Sequence, residues 1–285
     1  MKYSVPRYPV YVISKGRSDC CLTARFLRKD GTPFYIVVEP QEKAEYAKEF
    51  PSVQLLVTPF SNLGQGSIPV RNWVWEHAKS TGAKRHWIID DNIRWISRRY
   101  NSERIPCDSG TALFCCEDFV ERYKNIAVAG LGYEMFATGV QKLPPFRVNC
   151  HIYSCLLILN SLPWRWRGRY NEDTDLCLQV LADGWCTVAF NAFLIKKTES
   201  MVMKGGNTDE LYQGEGRLKM ARSLERLWPG VVTVGRRFNR PQHIVKYAWK
   251  KFDTPLKLKP GIKIDPTPNE YGMVLKRVKP EKHGS

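Results

Sequence analysis

The sequence predicts an α/β fold in which a mixed, mostly parallel sheet carries helices on both faces, followed by a basic C-terminal extension. In the first hundred residues, short apolar runs alternate with stretches of helical periodicity. The apolar runs are continuous, which is typical of strands that are buried on both faces. With 285 residues, 43% of them hydrophobic, the chain is long enough to bury a sizeable core.

The first half of the chain predicts four strands, with one helix between each strand and the next. The strands are expected at 8–14 ("YPVYVIS"), 33–39, 53–58 and 86–90 ("HWIID"), and the helices at 18–29, 41–50 and 70–80. Because a helix separates consecutive strands, the strands are expected to run parallel to one another.

The second half predicts a mixed arrangement. Its expected segments are a helix around 115–125, strands at 126–136, 147–159 and 187–197, and a helix that begins near 172. For this last helix, Asn171 is the expected N-cap, acids fill the first turn, and Gly184 marks the end. Beyond Leu256, four prolines predict extended chain.

The charge balance favours a polyanionic partner. The chain has 44 Lys and Arg against 28 Asp and Glu, a net charge of +16, and nucleic acid is the commonest partner of such proteins. Residues 230–285 alone contain 13 Lys and Arg against 4 Asp and Glu, so we divide the chain into a domain at 1–229 and a basic extension at 230–285. A basic enzyme with no polyanionic partner is the alternative.

Cysteine and histidine spacing argues against disulfides and zinc. The nine cysteines form no regular framework, which favours a reducing, intracellular setting. The five histidines lack the spacing of zinc ligands. No stretch approaches the roughly 18 apolar residues that span a bilayer, so we expect neither secretion nor a membrane partner.

One apolar strand ends directly on two adjacent carboxylates, Asp90 and Asp91 in "HWIIDDNIRWI". Adjacent like charges call for a cation, and three explanations compete: a solvated strand end, a phosphate-bound metal, or an acid/base pair. Ligands of open α/β sheets bind beyond the carboxyl ends of strands. Successive side chains point to opposite faces, so one carboxylate could meet a ribose hydroxyl and the other a divalent metal held by a diphosphate.

The order of the motifs adds a family resemblance. "WIIDDN", followed about eighty residues later by "NEDTDL", resembles the GT-A glycosyltransferases, whose DxD-type and ED motifs occur in this order. The closer resemblance is to the TET-associated glycosyltransferases of bacteriophages, through "YPVYVISKGR", "FYIVVEPQE", "VRNW", "IIDDN" and "NEDTDLCLQVLADGW". It covers about Tyr8 to Gly206 and implies a GT-A-like, Rossmann-like fold for 1–229.

The resemblance also implies an activity. The family transfers a sugar from a nucleotide-sugar donor, here expected to be a UDP-sugar, to 5-hydroxymethylcytosine in phage DNA. The expected location is therefore the cytoplasm of the infected bacterial host. The resemblance also implies a divalent metal, Mn²⁺ or Mg²⁺.

The resemblance assigns the donor site residue by residue. Expected donor-binding residues are Ser14, Arg17, Glu39, Arg71, Asn72 and Asp90, and the expected metal-facing pair is Asp91 with Asn92. Position 92 departs from the family's commoner acidic triplet, which weakens the case for a metal. Lys204, Gly205 and Gly206 offer another solution, because a lysine beside flexible glycines could balance a diphosphate without a metal. An ordinary glycine turn is the alternative.

The catalytic pair implied by the motif match is Glu172 and Asp173. An inverting transfer needs a carboxylate that takes the proton of the acceptor hydroxyl, and Asp173 is the expected base. Acids at a helix start are also common partners of the helix dipole. Cations close to Asp173 would lower its pKa and weaken it as a base.

The expected acceptor surface has two parts. The first is "WRWRGRY", whose rings and guanidinium groups could stack on an extruded base and pair with phosphates: Trp164, Arg165, Trp166, Arg167 and Arg169. The second is a group of arginines in the extension: Arg236, Arg237 and Arg240. A buried tryptophan with solvated arginines, and a solvated charged face, are the respective alternatives.

Three other functions remain open from the sequence. They are a GT-A enzyme acting on a polysaccharide or a protein, a nucleotidyltransferase, and a catalytically inert DNA-binding module. A nucleotidyltransferase would release diphosphate from a nucleoside triphosphate. An inert module would bind DNA without binding UDP or Mn²⁺.

Overall fold

The computed structural model describes residues 5–100, 102–137, 143–198, 216–237, 239–247, 252–263, 267–268 and 274. Within these ranges the first half folds as the alternation predicts. The strands are β1 (Val10–Ile13), β2 (Tyr35–Val38), β3 (Gln54–Val57) and β4 (Arg85–Asp90). The helices are α1 (Leu22–Lys29), α2 (Lys43–Glu49) and α3 (Ile68–Ser80). The four strands are parallel, in the order β3-β2-β1-β4.

The second half completes a mixed sheet. Its elements are β5 (Ile93–Tyr100), β6 (Glu103–Pro106), α4 (Ser109–Glu121), β7 (Ile126–Tyr133), β8 (Phe146–Val148), β9 (Cys155–Leu159), α5 (Glu172–Ala182) and β10 (Cys186–Lys197). The sheet order is β3-β2-β1-β4-β9-β7-β10-β5-β6, and β8 pairs with β10. Among the described strands of this sheet, only β9, β5 and β8 run against the others, which confirms the mixed, mostly parallel arrangement.

Both faces of the sheet are covered. Along β1, Val10 and Val12 belong to one apolar cluster with α1, α2 and α4, whereas Tyr11 and Ile13 belong to a second cluster with α3 and α5. The continuous apolar run of β1 is explained by this arrangement, since every one of its side chains faces a layer of helices.

Some local expectations differ from the structure. The segment expected as one strand at 147–159 divides into β8 and β9, and Ser154 between them has a φ of 62°. Asn171 stands at the expected N-cap position of α5, but it has a φ of 56° and its side chain does not cap the helix; it donates instead to the carbonyl of Met220 at 2.8 Å. The β5–β6 hairpin was not expected.

The C-terminal part packs on α5. It comprises α6 (Gly216–Leu227) and an antiparallel hairpin of β11 (Val232–Arg237) and β12 (Arg240–Val245). Leu178 and Leu181 of α5 contact Leu224, Val232 and Phe252 in a third apolar cluster. Residues on both sides of the predicted boundary between 229 and 230 therefore share one small core.

The described residues contain neither a disulfide nor a membrane-spanning helix. None of the nine cysteines, all of which lie in the described ranges, forms a disulfide. In the described ranges, we find no helix with both the length and the apolar character needed to cross a bilayer.

Candidate active site

Arg71 lies at the centre of the site. It is 3% exposed, in the first turns of α3, and its Nη2 donates to Asp90 Oδ1 at 3.1 Å. Its other nitrogens lie 3.3 Å from Asp173 Oδ1 and 3.7 Å from Glu172 Oε1. Burying a guanidinium is costly unless it is paired, and three carboxylates supply that pairing. One arginine thus joins the acidic end of β4 to the acidic start of α5.

Local sequence explains how Arg71 reaches this position. Pro69 stands in the first turn of α3, where its fixed φ suits a helix start. Ser67, just before the helix, donates to Glu172 Oε1 at 2.8 Å and accepts from Arg71 Nε at 3.2 Å. The guanidinium also lies over the ring of Trp166, 4.6 Å from its centroid. These contacts fix the direction of the arginine.

Asp90 is held between two cations. Its Oδ1 accepts from Arg71, and its Oδ2 accepts from Nζ of Lys197 at 2.8 Å. Burial would raise the pKa of Asp90, but Lys197 and Arg71 outweigh burial and lower that pKa to about 2. Burial likewise works against a charged Lys197, yet Asp90 raises the pKa of that lysine above its ordinary value. Both groups are therefore charged at neutral pH.

Asp173 has the opposite behaviour. Burial is the largest influence and raises the pKa of Asp173 to about 7; it outweighs the lowering by Arg71, and Glu172 and Asp90 raise this pKa further. Oδ2 accepts from the backbone N–H of Ser154 at 3.2 Å, and Oδ1 has no hydrogen bond among the described residues. Arg71 thus lowers the pKa of Asp173, as expected of a nearby cation, but burial outweighs this effect and Asp173 is not made a weak base. A carboxylate that exchanges its proton near neutral pH suits general base catalysis.

Ser154 connects these groups, and sequence reasoning missed it. Its backbone N–H donates to Asp173, its carbonyl accepts from the N–H of Asp90 at 2.8 Å, and its Oγ accepts from Lys197 at 2.6 Å. The hydroxyl of Tyr133 lies 2.6 Å from the same Oγ. A left-handed backbone at a residue with a side chain costs about 1–3 kcal/mol, which these contacts offset.

Lys197 was also missed, although the sequence contains a signal for it. The long apolar strand β10 ends on Lys196 and Lys197, just as β4 ends on Asp90, with Asp91 directly after it. Opposite charges at the ends of apolar strands can meet at one edge of a sheet. A serine before an apolar run, such as Ser154, is too common to carry any such signal.

Three predicted residues form a second buried cluster. Asp91 is 5% exposed, and its oxygens accept from Arg17 Nη1 at 2.6 Å and from Ser14 Oγ at 2.7 Å. Burial raises the pKa of Asp91 and outweighs the lowering by Arg17. The hydroxyl of Tyr46 lies 2.7 Å from Ser14 Oγ and accepts from the backbone N–H of Arg17. Adjacent aspartates thus have entirely different partners.

The remaining predicted donor residues are more dispersed. Glu39, at the end of β2, accepts from Lys15 at 2.9 Å and from the N–H of Asn62 at 2.9 Å. Burial would raise the pKa of Glu39, but these hydrogen bonds lower it. The amide of Asn72 exchanges hydrogen bonds with the backbone of Trp166, at 2.9 and 3.0 Å, so Asn72 holds that segment on α3. Lys204, Gly205 and Gly206 lie outside the described residues.

The described residues do not fit a divalent metal at Asp91 and Asn92. Both oxygens of Asp91 are bonded to other side chains, and Oδ1 of Asn92 is buried, without a hydrogen bond in the described ranges. Asp90 already has a cation at each oxygen, so an added dication would be repelled by both. Within these ranges no group of three or more His, Cys, Asp or Glu could hold a metal ion. The metal-facing role of Asp91 and Asn92 stays a prediction from sequence, and the contacts of Asp91 argue against it.

Of the residues expected to form the stacking surface, Trp166 is buried, whereas the acceptor roles of Trp164, Arg165, Arg167 and Arg169 stay predictions. Trp166 is 2% exposed under Arg71, so no base can stack on it in this conformation. Arg165 lies over Trp75 and pairs with Glu76 at 2.9 Å, and Arg167 pairs with the buried Asp175 at 2.9 Å. Trp164 is half-buried in the same apolar cluster, and Arg169 is exposed beside Tyr170. The rings of Trp164 and Trp166, which sequence analysis assigned to DNA stacking, pack instead in the apolar cluster with α3 and α5.

Two exposed basic surfaces are found among the residues that the structure describes. A shallow groove beside β5 is lined by three cations, two apolar side chains and one indole: Leu22, Arg25, Phe26, Lys29, Arg94 and Trp95. Trp95 is 45% exposed, and Arg94 donates to Thr198, the neighbour of Lys197, at 3.2 Å. The second surface is the tip of the β11–β12 hairpin, where Arg236, Arg237 and Arg240 are exposed.

The family model for the TET-Associated Glycosyltransferase matches residues 8–206. Among curated proteins, none matches the chain. The glucosyl-3-phosphoglycerate synthase of Mycobacterium tuberculosis, solved with Mn²⁺, UDP and phosphoglyceric acid, is 10% identical with a TM-score of 0.45, over 86% of this chain and 87% of that one.

Two further solved structures are similar. A nucleotide-diphospho-sugar transferase of Desulfovibrio desulfuricans is 9% identical with a TM-score of 0.34, over 61% of this chain and 77% of that one. The mannose-1-phosphate geranyltransferase of Thermus thermophilus is 11% identical with a TM-score of 0.32, over 67% of this chain and 57% of that one. Similarities at this distance say nothing about the substrate or the metal of this chain.

Proposed function

Because the chain belongs to the TET-associated glycosyltransferase family, we propose that it transfers a sugar from a UDP-sugar to the hydroxymethyl group of 5-hydroxymethylcytosine in DNA. The observation that carries the proposal is the cluster around Arg71, which brings an ionised Asp90 and a proton-exchanging Asp173 to one place. Paired carboxylates with separated pKa values are typical of sites that bind one group and deprotonate another.

Asp173 is the proposed base of an inverting transfer. The acceptor hydroxyl oxygen attacks the anomeric carbon while Asp173 takes the hydroxyl proton. The bond from that carbon to the diphosphate oxygen breaks, and its electron pair leaves with the nucleoside diphosphate. A base with a pKa of about 7 is well matched to this step at neutral pH. Glu172 and Ser154 orient the groups around it.

The donor nucleotide is proposed to lie over the carboxyl ends of β1, β2 and β4. Ser14, Arg17 and Glu39 follow β1 and β2, and Asp90 ends β4. Ligands of parallel α/β sheets bind at this edge. Asp90 is the proposed ribose and donor ligand, while Arg17 with Asp91 forms the buried support of the β1 end.

The acceptor is proposed to be DNA because of the family match and because an exposed basic groove lies beside Lys197 of the site. The groove beside β5 has three cations and no acid among its lining residues, and one of these cations, Arg94, donates to Thr198, the neighbour of Lys197. Trp95 offers an exposed ring for base stacking in place of Trp166. If the DNA is that of a bacteriophage, the enzyme acts in the cytoplasm of the infected host.

The decisive experiment is a transfer assay. The protein is incubated with hydroxymethylated duplex DNA and a panel of UDP-sugars, with either EDTA or Mn²⁺. The DNA is then digested to nucleosides, whose masses are measured by mass spectrometry. We expect a mass gain of one sugar residue on 5-hydroxymethylcytosine, and none on matched cytosine DNA. Transfer to polysaccharide or protein alone would reassign the acceptor, and release of diphosphate from a nucleoside triphosphate would indicate a nucleotidyltransferase.

A further inference from the structure

Lys197 lies where a cation for the donor would be needed. Its Nζ sits at the end of β10, 2.8 Å from Asp90 Oδ2 and 2.6 Å from Ser154 Oγ. The side chain of Lys197 is 20% exposed, whereas that of Arg71, the other cation at Asp90, is 4% exposed. Of the two, Lys197 is therefore the one that an incoming ligand can contact.

The hydrogen bonds of Lys197 leave capacity for a ligand. An ammonium has three N–H donors, and Asp90 and Ser154 take two among the described residues. Asp90 also keeps Arg71 on its other oxygen, so it stays paired when the ammonium turns toward a phosphate. The flexible four-carbon stem of lysine allows such a turn, which a fixed guanidinium would not.

A divalent ion is poorly suited to the same place. Asp90 is bracketed by Lys197 and Arg71, and Asp91 is bonded to Arg17 and Ser14. Binding a dication at either carboxylate would require a cation of the protein to leave. Arg17 and Arg71 are buried, so Lys197 is the cation among these three that a diphosphate could contact.

We infer that Lys197 binds the diphosphate of the donor and stabilises it as it departs, in place of a divalent metal. This inference rests on the proposed function and deepens it. As the anomeric carbon–oxygen bond breaks, the electron pair moves onto the terminal phosphate oxygen, which is where an ammonium contact strengthens. The nucleoside monophosphate, which lacks that phosphate, should not depend on Lys197.

Nucleotide binding tests this independently of any acceptor. Affinities for UDP and UMP, and for GDP, ADP, CDP and dTDP, are measured calorimetrically in EDTA for the wild type and for Lys197→Met, which keeps the stem and removes the charge. We expect the wild type to bind a nucleoside diphosphate without metal. Lys197→Met should weaken diphosphate binding about tenfold or more and monophosphate binding much less.

Two matched variants distinguish an effect of the Lys197 charge from a change in the structure of the site. Lys196→Ala removes the neighbouring charge of the same strand and should leave both affinities unchanged. Lys197→Arg keeps a cation and should retain part of the diphosphate preference. Circular dichroism and thermal unfolding of each variant establish that it is folded.

The outcomes are distinct. Wild-type diphosphate binding that requires Mn²⁺ would overturn the role of Lys197 and leave the proposed function standing. Equal losses of UDP and UMP binding in Lys197→Met would also overturn it, since the lysine would then only support the fold of the site. Absence of binding to every nucleotide, with or without Mn²⁺, would defeat the proposed function itself.

Discussion

Asp173 gives the site a definite pH dependence. Because burial raises its pKa to about 7, the carboxyl is protonated below that value and cannot accept the acceptor proton. We expect kcat to fall about tenfold for each pH unit below about 7 and to level off above it. Initial rates from pH 5 to 9 with saturating donor measure this. A profile flat through pH 6 would exclude Asp173 as the base.

Substitution of Asp173 tests the same residue chemically. Asp173→Asn keeps the shape of the side chain but cannot take a proton, so transfer should slow about 10²–10⁴-fold with little loss of nucleotide affinity. Asp183→Asn, at the exposed end of the same helix, is the matched control and should be close to wild type. Comparable rates in the two variants would contradict the assignment.

Arg71 should be the most important charge for stability. Arg71→Met leaves Asp90, Glu172 and Asp173 without their shared partner, and removing one member of a buried ion pair typically costs about 3–5 kcal/mol of unfolding free energy. Arg165→Met is a fitting comparison, because Arg165 also lies over a tryptophan and pairs with a glutamate that is 55% exposed. Surface pairs contribute about 0–1 kcal/mol.

Urea unfolding at pH 8 measures both arginine variants. Equal losses of unfolding free energy would show that burial of the Arg71 cluster contributes no more than a surface ion pair. A change in the urea dependence itself would instead indicate that the variant alters compactness.

Individual site residues were predictable to different degrees. Asp90, Glu172 and Asp173 stand at element ends, where sequence patterns place them reliably, and Arg71 follows a recognisable helix start. The roles of Trp166 and Asp91 depend on which side is covered by neighbouring helices, and no local pattern specifies that. Ser154 depends on its backbone conformation, which its residue type does not reveal.

At the scale of elements, β7 and β9 approach closely at Gly130. A Cβ on Gly130 would lie 2.1 Å from the carbonyl oxygen of Cys155 and 2.4 Å from Cγ2 of Ile152. Gly130→Ala should therefore lower the free energy of unfolding by about 1–3 kcal/mol or more, because a tightly packed strand pair must separate. Thermal and urea unfolding measure the loss.

Gly31→Asn is the control for Gly130→Ala. Gly31 has a φ of 69° with open space around it, and asparagine tolerates that conformation. Its effect should be much smaller. An equally small effect of Gly130→Ala would mean that the two strands can move apart without cost.

Elements with a clear apolar period could be predicted from the sequence, whereas a strand whose apolar pattern is interrupted by charged residues could not. β1 to β4 and α1 to α3 follow continuous apolar runs and helical spacing. In β5, "IRWISRRY", the three arginines and the tyrosine lie at exposed or partly exposed positions around a narrow buried stripe, so its period is obscured. Its place near the sheet edge comes from pairing with β10, a contact distant in the chain.

At the scale of the whole molecule, the net charge of +16 should make DNA binding strongly dependent on salt. Each phosphate contact contributes about −0.9 to the slope of log affinity against log salt. Replacing Arg236, Arg237 and Arg240 by glutamine should reduce the slope by about 0.9 for each arginine that contacts a phosphate. Fluorescence anisotropy with hydroxymethylated duplex, at about 50 to 200 mM KCl, measures it.

A control triple variant keeps the change in total charge constant. Lys43, Lys48 and Lys79 are exposed on α2 and α3, and their replacement by glutamine should alter the slope less. Equal slopes in the two triple variants would mean that total charge, rather than the hairpin tip, governs binding.

Ser154, which has a left-handed backbone directly before β9, limits how the specificity of the enzyme can change. Ser154 contacts Lys197, the ionised Asp90 and Asp173, the proposed base, at once. With the proposed roles of Lys197 and Asp173, we expect any substitution of Ser154 to change the leaving-group contacts and the proton transfer together. We therefore expect new sugar specificities to arise from changes in the surrounding loops, while Ser154 and its contacts stay unchanged.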